Sequence, residues 1–356
     1  MRLIIDALPI TGDSGAIVTE HIVAAWAKLG LDEIHVVAGP GLEAPLPDSV
    51  TVHELPYGKR AAVSRLRHQN VTLPKIARRI GADAVLGILP TTVATPLPCP
   101  RFVIGWDLRN ELRPDQFTRL NRLQRWVSYN LGWRQAAAIP VISQRTKDDL
   151  LASRPWLAKR KDVPVVWLGG DHADGWPRDP NATPYALAFG QYGNKNPALV
   201  VDAWKLLADR GYDLPLTIVG LGAAAREHVQ SLVQTHGIEH LVTVMPWLTI
   251  EEFRGTFASA SLIVFPSDFE GFGLPAVEGM RLGIPVVITP EQALLEVTNG
   301  HATVMDGWDS AALADAVARA QDVTPDQTAA AREWAAQFTW AATARGLRKA
   351  VVGALP

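Results

Sequence analysis

Short apolar, β-branched runs alternate with helix-like stretches along nearly the whole chain, and they do so in two series. In the first half, residues 3–10, 33–39, 82–89, 101–108 and 137–143 have strand character, with helix-like stretches at 19–29 and 74–80. A second series occupies residues 185–193, 214–222, 241–247, 262–267 and 284–290. Such alternation calls for crossover connections, hence parallel sheets covered by helices. Residues 169–180, dense in glycine, aspartate and proline, interrupt the pattern and read as a connector. The expectation is an α/β chain of two Rossmann-like domains whose parallel sheets face a central cleft. Residues 1–168 form the first domain, 169–184 the linker, 185–337 the second domain and 338–356 a final helix. A length of 356 residues accommodates both.

Composition narrows the class. With 48% apolar and 20% charged residues the chain is neither disordered nor embedded in a bilayer. No window approaches the roughly eighteen continuous apolar residues of a spanning helix. The strand-like start after Met1 lacks the basic and apolar regions of a signal peptide, so a cytoplasmic location is expected. Cys99 is the single cysteine, which rules out an intramolecular disulfide and any cysteine-cluster metal site. Charge is uneven: residues 1–168 carry 22 Lys and Arg against 15 Asp and Glu, and the remainder 12 against 21. The net −2 thus hides a basic half of +7 and an acidic half of −9, as if the halves met different partners.

Residues 262–289 carry the densest chemical signal. An apolar run, Leu262 to Phe265, leads through Pro266 and Ser267 into Glu270-Gly271-Phe272-Gly273-Leu274 and then Pro275. Proline suits the first position of a helix, so a helix is expected to start there with Glu278 in its first turn. Two carboxylates, Glu270 and Glu278, would then flank a helix N-terminus whose free N–H groups attract phosphate. Backbone amides can hold a phosphate while the carboxylates accept hydrogen bonds from sugar hydroxyls.

This stretch, with both glutamates, the Gly-Phe-Gly-Leu-Pro core and Gly283-Ile284-Pro285-Val286-Val287 behind it, closely resembles the donor signature of the retaining glycosyltransferases of family 4. The resemblance extends from the first strand to the Trp340 helix. It implies a GT-B fold, with the acceptor mainly on the first domain, the nucleotide-sugar mainly on the second, and the last helix packed on the first domain. In that family the first glutamate, here Glu270, meets the transferred sugar, and the second, Glu278, meets the ribose. Gly271, Phe272, Gly273 and Leu274 belong to the same donor loop.

Further segments match less closely. Residues 189–196 resemble the family's strand-to-loop segment, with Gly190 near the donor and Lys195 placed to stabilise the departing diphosphate. Many relatives have an arginine directly after that glycine, where this chain has Gln191. Gly15, with Gly12 as a weaker match, corresponds to a glycine loop that lets backbone approach the donor phosphate. Trp247 lies where relatives contact the nucleobase and could stack on it, or could simply pack. Residues 104–108 correspond to a segment that normally reads His-Asp-Leu. Here Trp106 replaces the reaction-centre histidine, and Asp107 survives. Trp106 could offer an acceptor sugar an aromatic platform, or mark lost catalysis; Asp107 could act in catalysis or merely shape a turn.

Residues 119–129 read as a basic, aromatic helix whose apolar positions 117, 120, 123 and 127 share a face. Such a helix suits an anionic membrane surface or a lipid-diphosphate acceptor. It also suits the ordinary task of covering a sheet, the default for an amphipathic helix. The nine histidines are scattered, so no metal and no other cofactor is expected. The resulting reading is metal-independent transfer of a hexose, first of all mannose-type, from a nucleotide-sugar to a glycan or lipid-linked hydroxyl acceptor in envelope polysaccharide or glycoconjugate synthesis. Peripheral contact with the inner face of the plasma membrane belongs to it; a nucleic-acid partner does not. Two rivals stay open: a nucleotide-sugar epimerase on the same fold, and a non-catalytic binding partner that keeps the fold.

Overall fold

The computed structural model describes the chain except residues 11, 12, 41, 43–45, 92, 180, 192 and 356, and the side chains of residues 13 and 14. It divides into two compact units, Met1–Gly169 with Thr339–Pro356, and Gly170–Phe338. The first holds a parallel sheet of β1 (Arg2–Ala7), β2 (Glu33–Ala38), β3 (Val50–Glu54), β4 (Ala84–Gly87) and β5 (Arg101–Val103), in the order β3-β2-β1-β4-β5. The second holds β6 (Ala186–Phe189), β7 (Leu216–Val219), β8 (Val242–Val244), β9 (Leu262–Phe265), β10 (Val286–Ile288) and β11 (Thr303–Val304), in the order β11-β10-β9-β6-β7-β8. Every pairing between these strands is parallel. Strands covered on both faces have no solvent side, which is why β4, β6 and β9 are buried at every position.

Two strands were not anticipated, β3 and β11. β3 is an edge strand whose exposed Val52 and polar neighbours lack a buried run's signature, and β11 is only two residues long. The run at 137–143 forms no regular strand. It joins the sheet through isolated bridges, Gly105 to Val141, Ala138 to Asp162 and Val141 to Val165. Its Pro140 cannot donate to a ladder, which accounts for the interruption.

In the first unit the Trp340–Val352 helix packs on the Asp13–Lys28 helix. Arg348 Nε donates to Asp32 Oδ2 at 2.7 Å, and Trp26 Nε1 donates to the same oxygen at 2.9 Å. Thr343 Oγ1 donates to the Trp167 carbonyl at 2.7 Å. Among the described residues no helix is long and apolar enough to cross a membrane.

Candidate functional site

The second sheet's strand order reverses between β6 and β9, which are hydrogen-bonded neighbours although 76 positions separate Ala186 from Leu262. Connections leave such a pair in opposite directions and open a crevice beyond the carboxyl ends of both strands. The loops after β6 and β9 meet there. Asn194 Nδ2 donates to Ser267 Oγ at 3.0 Å and to the Phe269 carbonyl at 2.9 Å. The Asp268 amide donates to the Asn194 carbonyl at 3.0 Å, and Asn196 Nδ2 to the Pro266 carbonyl at 2.9 Å.

Glu270 is fixed by this stitching. Its Oε1 accepts from Ser267 Oγ at 2.6 Å, from Asn194 Nδ2 at 3.3 Å and from Lys195 Nζ. The Lys195 ammonium also lies 4.1 Å from the centroid of the Phe265 ring. Both side chains are only 13–14% exposed, so the pair sits where charge is screened less than at an open surface. The sequence-predicted Lys195 and Glu270 are therefore brought together, one from each side of the strand reversal.

The Leu274–Arg281 helix follows directly. It starts one residue before Pro275, which places Glu278 in the second turn rather than the first. Gly273 precedes it with φ +100°, a backbone conformation that favours glycine, and a Cβ there would come within 2.5 Å of Leu294 Cδ2. Leu294 is held in turn by the next helix, where the Glu291 carboxylate accepts from the Ala293 and Leu294 amides at 2.7 and 3.1 Å. Phe272 is buried against Phe338, ring centroids 5.8 Å apart, so its side chain is a core group. Gly271 and Leu274 are partly exposed on either side of it.

Glu278 is 6% exposed, and its Oε1 lies 3.0 Å from His172 Nε2. His172 belongs to a 3-10 turn, Asp171–Gly175, from which Asp174 also grips Arg281 at 2.9 and 2.5 Å. Arg281 Nη1 reaches the Ala335 and Phe338 carbonyls at 2.9 and 3.3 Å. The segment read as a linker from its composition is thus clamped to the Leu274–Arg281 helix and counts with the second unit from Gly170 onward. Its glycines and prolines shape a turn that charged side chains then anchor.

Gly190 ends β6 against Leu221, which occupies the space a side chain would need. Trp247, after β8, is 59% exposed and packs into no core. In the first unit, Gly15 lies inside the Asp13–Lys28 helix rather than in a loop before it, and its carbonyl accepts from Thr19 Oγ1 at 2.7 Å. A Cβ at Gly15 would meet only Ile10, at an ordinary 3.6 Å. Gly12 lies outside the described residues. Trp106 is half-buried, donating its indole N–H to the Ile88 carbonyl at 2.5 Å while its own carbonyl accepts from Thr146 Oγ1 at 2.9 Å. Asp107 Oδ1 accepts from the Arg109 amide at 2.9 Å, which gives it a turn-shaping contact.

Sequence reasoning passed over three groups. Ser267 and Asn194 hold Glu270, and His172 holds Glu278; each is a polar residue in a glycine- or proline-rich turn, easily read as loop chemistry. In the first unit, Asp6 is fully buried at the end of β1, where it accepts from Gln69 Nε2 and the Leu8 amide, both at 3.2 Å. Burial pushes its carboxyl above the ordinary range, against the opposing pull of Arg101, 3.8 Å away, and of Gln69. The signal was visible: an aspartate in the middle of an apolar strand run. Among the described residues, no group of three His, Cys, Asp or Glu is placed to hold a metal ion.

Residues 183–322 match the family described as Glycosyl transferases group 1. The chain is 33% identical over 163 residues to a D-inositol 3-phosphate glycosyltransferase of Corynebacterium diphtheriae, covering 43% of this chain and 38% of that protein. It is 30% identical over 161 residues to the O-antigen chain mannosyltransferase B of Escherichia coli, covering 44% and 42%. The chain thus spans about two fifths of the curated relatives it matches. The crystal structure of WaaG, a glycosyltransferase involved in lipopolysaccharide biosynthesis, superposes with a TM-score of 0.74 at 15% identity, over 99% of this chain and 100% of that one. At that identity the likeness speaks for the fold alone, and the fold is GT-B, as the motif resemblance implied.

Proposed function

We propose that the chain, whose residues 183–322 match the group 1 glycosyl transferases, acts as one of them and transfers a hexose from a nucleotide-sugar to a hydroxyl acceptor with retention at the anomeric carbon. One observation carries the reading. Lys195 and Glu270 meet across the strand reversal of the second sheet, immediately before a helix that bears Glu278. Glycosyl transfer breaks the bond between the anomeric carbon and the diphosphate, and the electron pair leaves with the diphosphate. Lys195 and the start of the Leu274–Arg281 helix supply positive charge for that leaving group. Glu270, oriented by Ser267 and Asn194, binds hydroxyls of the sugar, and Glu278 binds the ribose. Gly190 and Gly271 let backbone come close to the donor, Leu274 opens the helix, and Trp247 offers a flat face to the base.

The first unit takes the acceptor, a glycan or lipid-linked sugar, with Trp106 as a platform and the neighbouring Asp107 in a catalytic part. Peripheral membrane contact is part of the same reading, and no metal is required. A mannose-type sugar is the first to test, in line with the named activity of the Escherichia coli relative.

A thermal-shift screen with GDP, UDP, dTDP and their sugars tests the donor, because a ligand that binds only the folded state raises its melting temperature. Transfer from the matched donor, with the product's anomeric configuration read by NMR, tests reaction and retention. Turnover of donor without acceptor would favour the epimerase; binding without turnover would favour the non-catalytic partner.

A further inference from the structure

The Arg119–Gln135 helix faces the opposite way from the default expectation. Its spacing places Leu120, Leu123, Val127 and Leu131 on one stripe, as required for covering a sheet. The stripe is exposed instead: 75% at Leu120, 60% at Leu123, 42% at Val127 and 40% at Leu131. The opposite side does the packing. Gly132 fits closely against the Pro90 carbonyl, Trp133 is 1% exposed, and Tyr129 meets Trp133 edge-on with centroids 5.7 Å apart. Burial on one side fixes the helix, so the leucine stripe is held outward.

The charge around the stripe is of one sign. The helix contains Arg119, Arg122, Arg125 and Arg134 and no aspartate or glutamate. Arg119 and the 52%-exposed Trp126 flank the stripe, and Arg134 lies in line with it at the C-terminal end. Arg125 reaches back over the Phe117 ring, 5.2 Å from its centroid, which braces the helix start. Residues 1–168 as a whole carry an excess of seven basic groups.

We propose that the stripe Leu120, Leu123, Val127 and Leu131 is a docking surface for an anionic phospholipid bilayer, with Trp126 at the headgroup level. An outward apolar stripe on an all-basic helix with a boundary tryptophan complements a negatively charged membrane face in both hydrophobicity and charge. A protein partner or a second copy would need acidic groups to meet the same arginines; this helix offers a second copy none. The inference refines where the membrane contact lies and does not depend on the donor chemistry of the second unit.

The test is co-sedimentation of the full chain with phosphatidylcholine vesicles prepared with and without phosphatidylglycerol. Binding is expected only to the phosphatidylglycerol vesicles and falls as salt rises. Leu120→Asn with Leu123→Asn, at exposed positions that leave the fold intact, lowers binding at least about tenfold. Arg119→Ser with Arg134→Ser weakens it at every salt concentration below saturation screening. Nucleoside diphosphate affinity, read by calorimetry on the same variants, stays unchanged, so failure of the donor reading and failure of this one are distinguishable. Equal binding to neutral vesicles, no binding to either, or a dimer seen by light scattering that the leucine pair abolishes would each overturn the proposal.

Discussion

His172 Nε2 and Glu278 Oε1 stand 3.0 Å apart, so the second motif glutamate is oriented by a residue more than a hundred positions upstream. Both side chains are over nine-tenths buried. Glu278→Ala is expected to weaken nucleoside diphosphate binding about ten- to a hundredfold, because ribose hydroxyls lose a charged acceptor. His172→Ala should cost less, about three- to tenfold, by releasing the carboxylate from its orientation. His172→Gln, whose amide nitrogen can stand in for Nε2, should recover most of that loss. Calorimetry beside melting curves decides: unchanged affinity in a folded Glu278→Ala protein would remove this residue from the donor site.

Lys195 is tied to Glu270 and the Phe265 ring, and its expected contribution lies in turnover more than in affinity. Lys195→Ala should lower kcat by about a hundred- to a thousandfold, the range for losing a fixed stabiliser of developing charge. The donor's Kd should move far less. Equal losses in both would mean that the lysine binds ground and transition states alike.

Full transfer activity is expected in EDTA, because a lysine and a helix start supply the positive charge in this reading. Activity that vanishes on chelation and returns with magnesium or manganese would contradict it.

Trp106 donates to the Ile88 carbonyl while remaining partly exposed, so it is expected to have both a packing and a binding role. Trp106→Ala should lose about 2–3 kcal/mol of stability through the vacated volume and the unpaired carbonyl. Trp106→Phe keeps a flat face without the donor. Acceptor affinity should survive in the phenylalanine variant and fall in the alanine one. If both variants melt early and bind acceptor normally, the residue only packs.

Much of the geometry of the candidate site was legible because its determinants are local. Gly273 needs its positive φ and Glu270 follows a buried strand; both leave marks in consecutive residues. The strand alternation carried the sheets for the same reason. What escaped depended on distant pairs. Nothing near His172 points to Glu278, and nothing near Asp174 points to Arg281; a turn rich in glycine and proline looks like a tether until its anchors are known. The Arg119–Gln135 helix failed differently. Its apolar spacing was read correctly, yet periodicity identifies a face without saying which side of a helix the core will take. Gly132 and Trp133 settled that through close fit to Pro90 and burial, which a count of apolar positions does not weigh.

Each unit closes its own backbone. In one, Gly169 lies against Thr339 and Trp340; in the other, the Gly170 amide donates to the Phe338 carbonyl at 2.9 Å. The second unit is therefore topologically an insertion whose two ends already touch, the arrangement most tolerant of excision and exchange. A short splice from Gly169 to Thr339 would leave the first unit its final helix, whereas simple truncation at Phe338 would strip that helix away and with it the Arg348 bond to Asp32. Exchanging the second unit between relatives is thus a matter of two neighbouring cuts, with the first unit carried over whole.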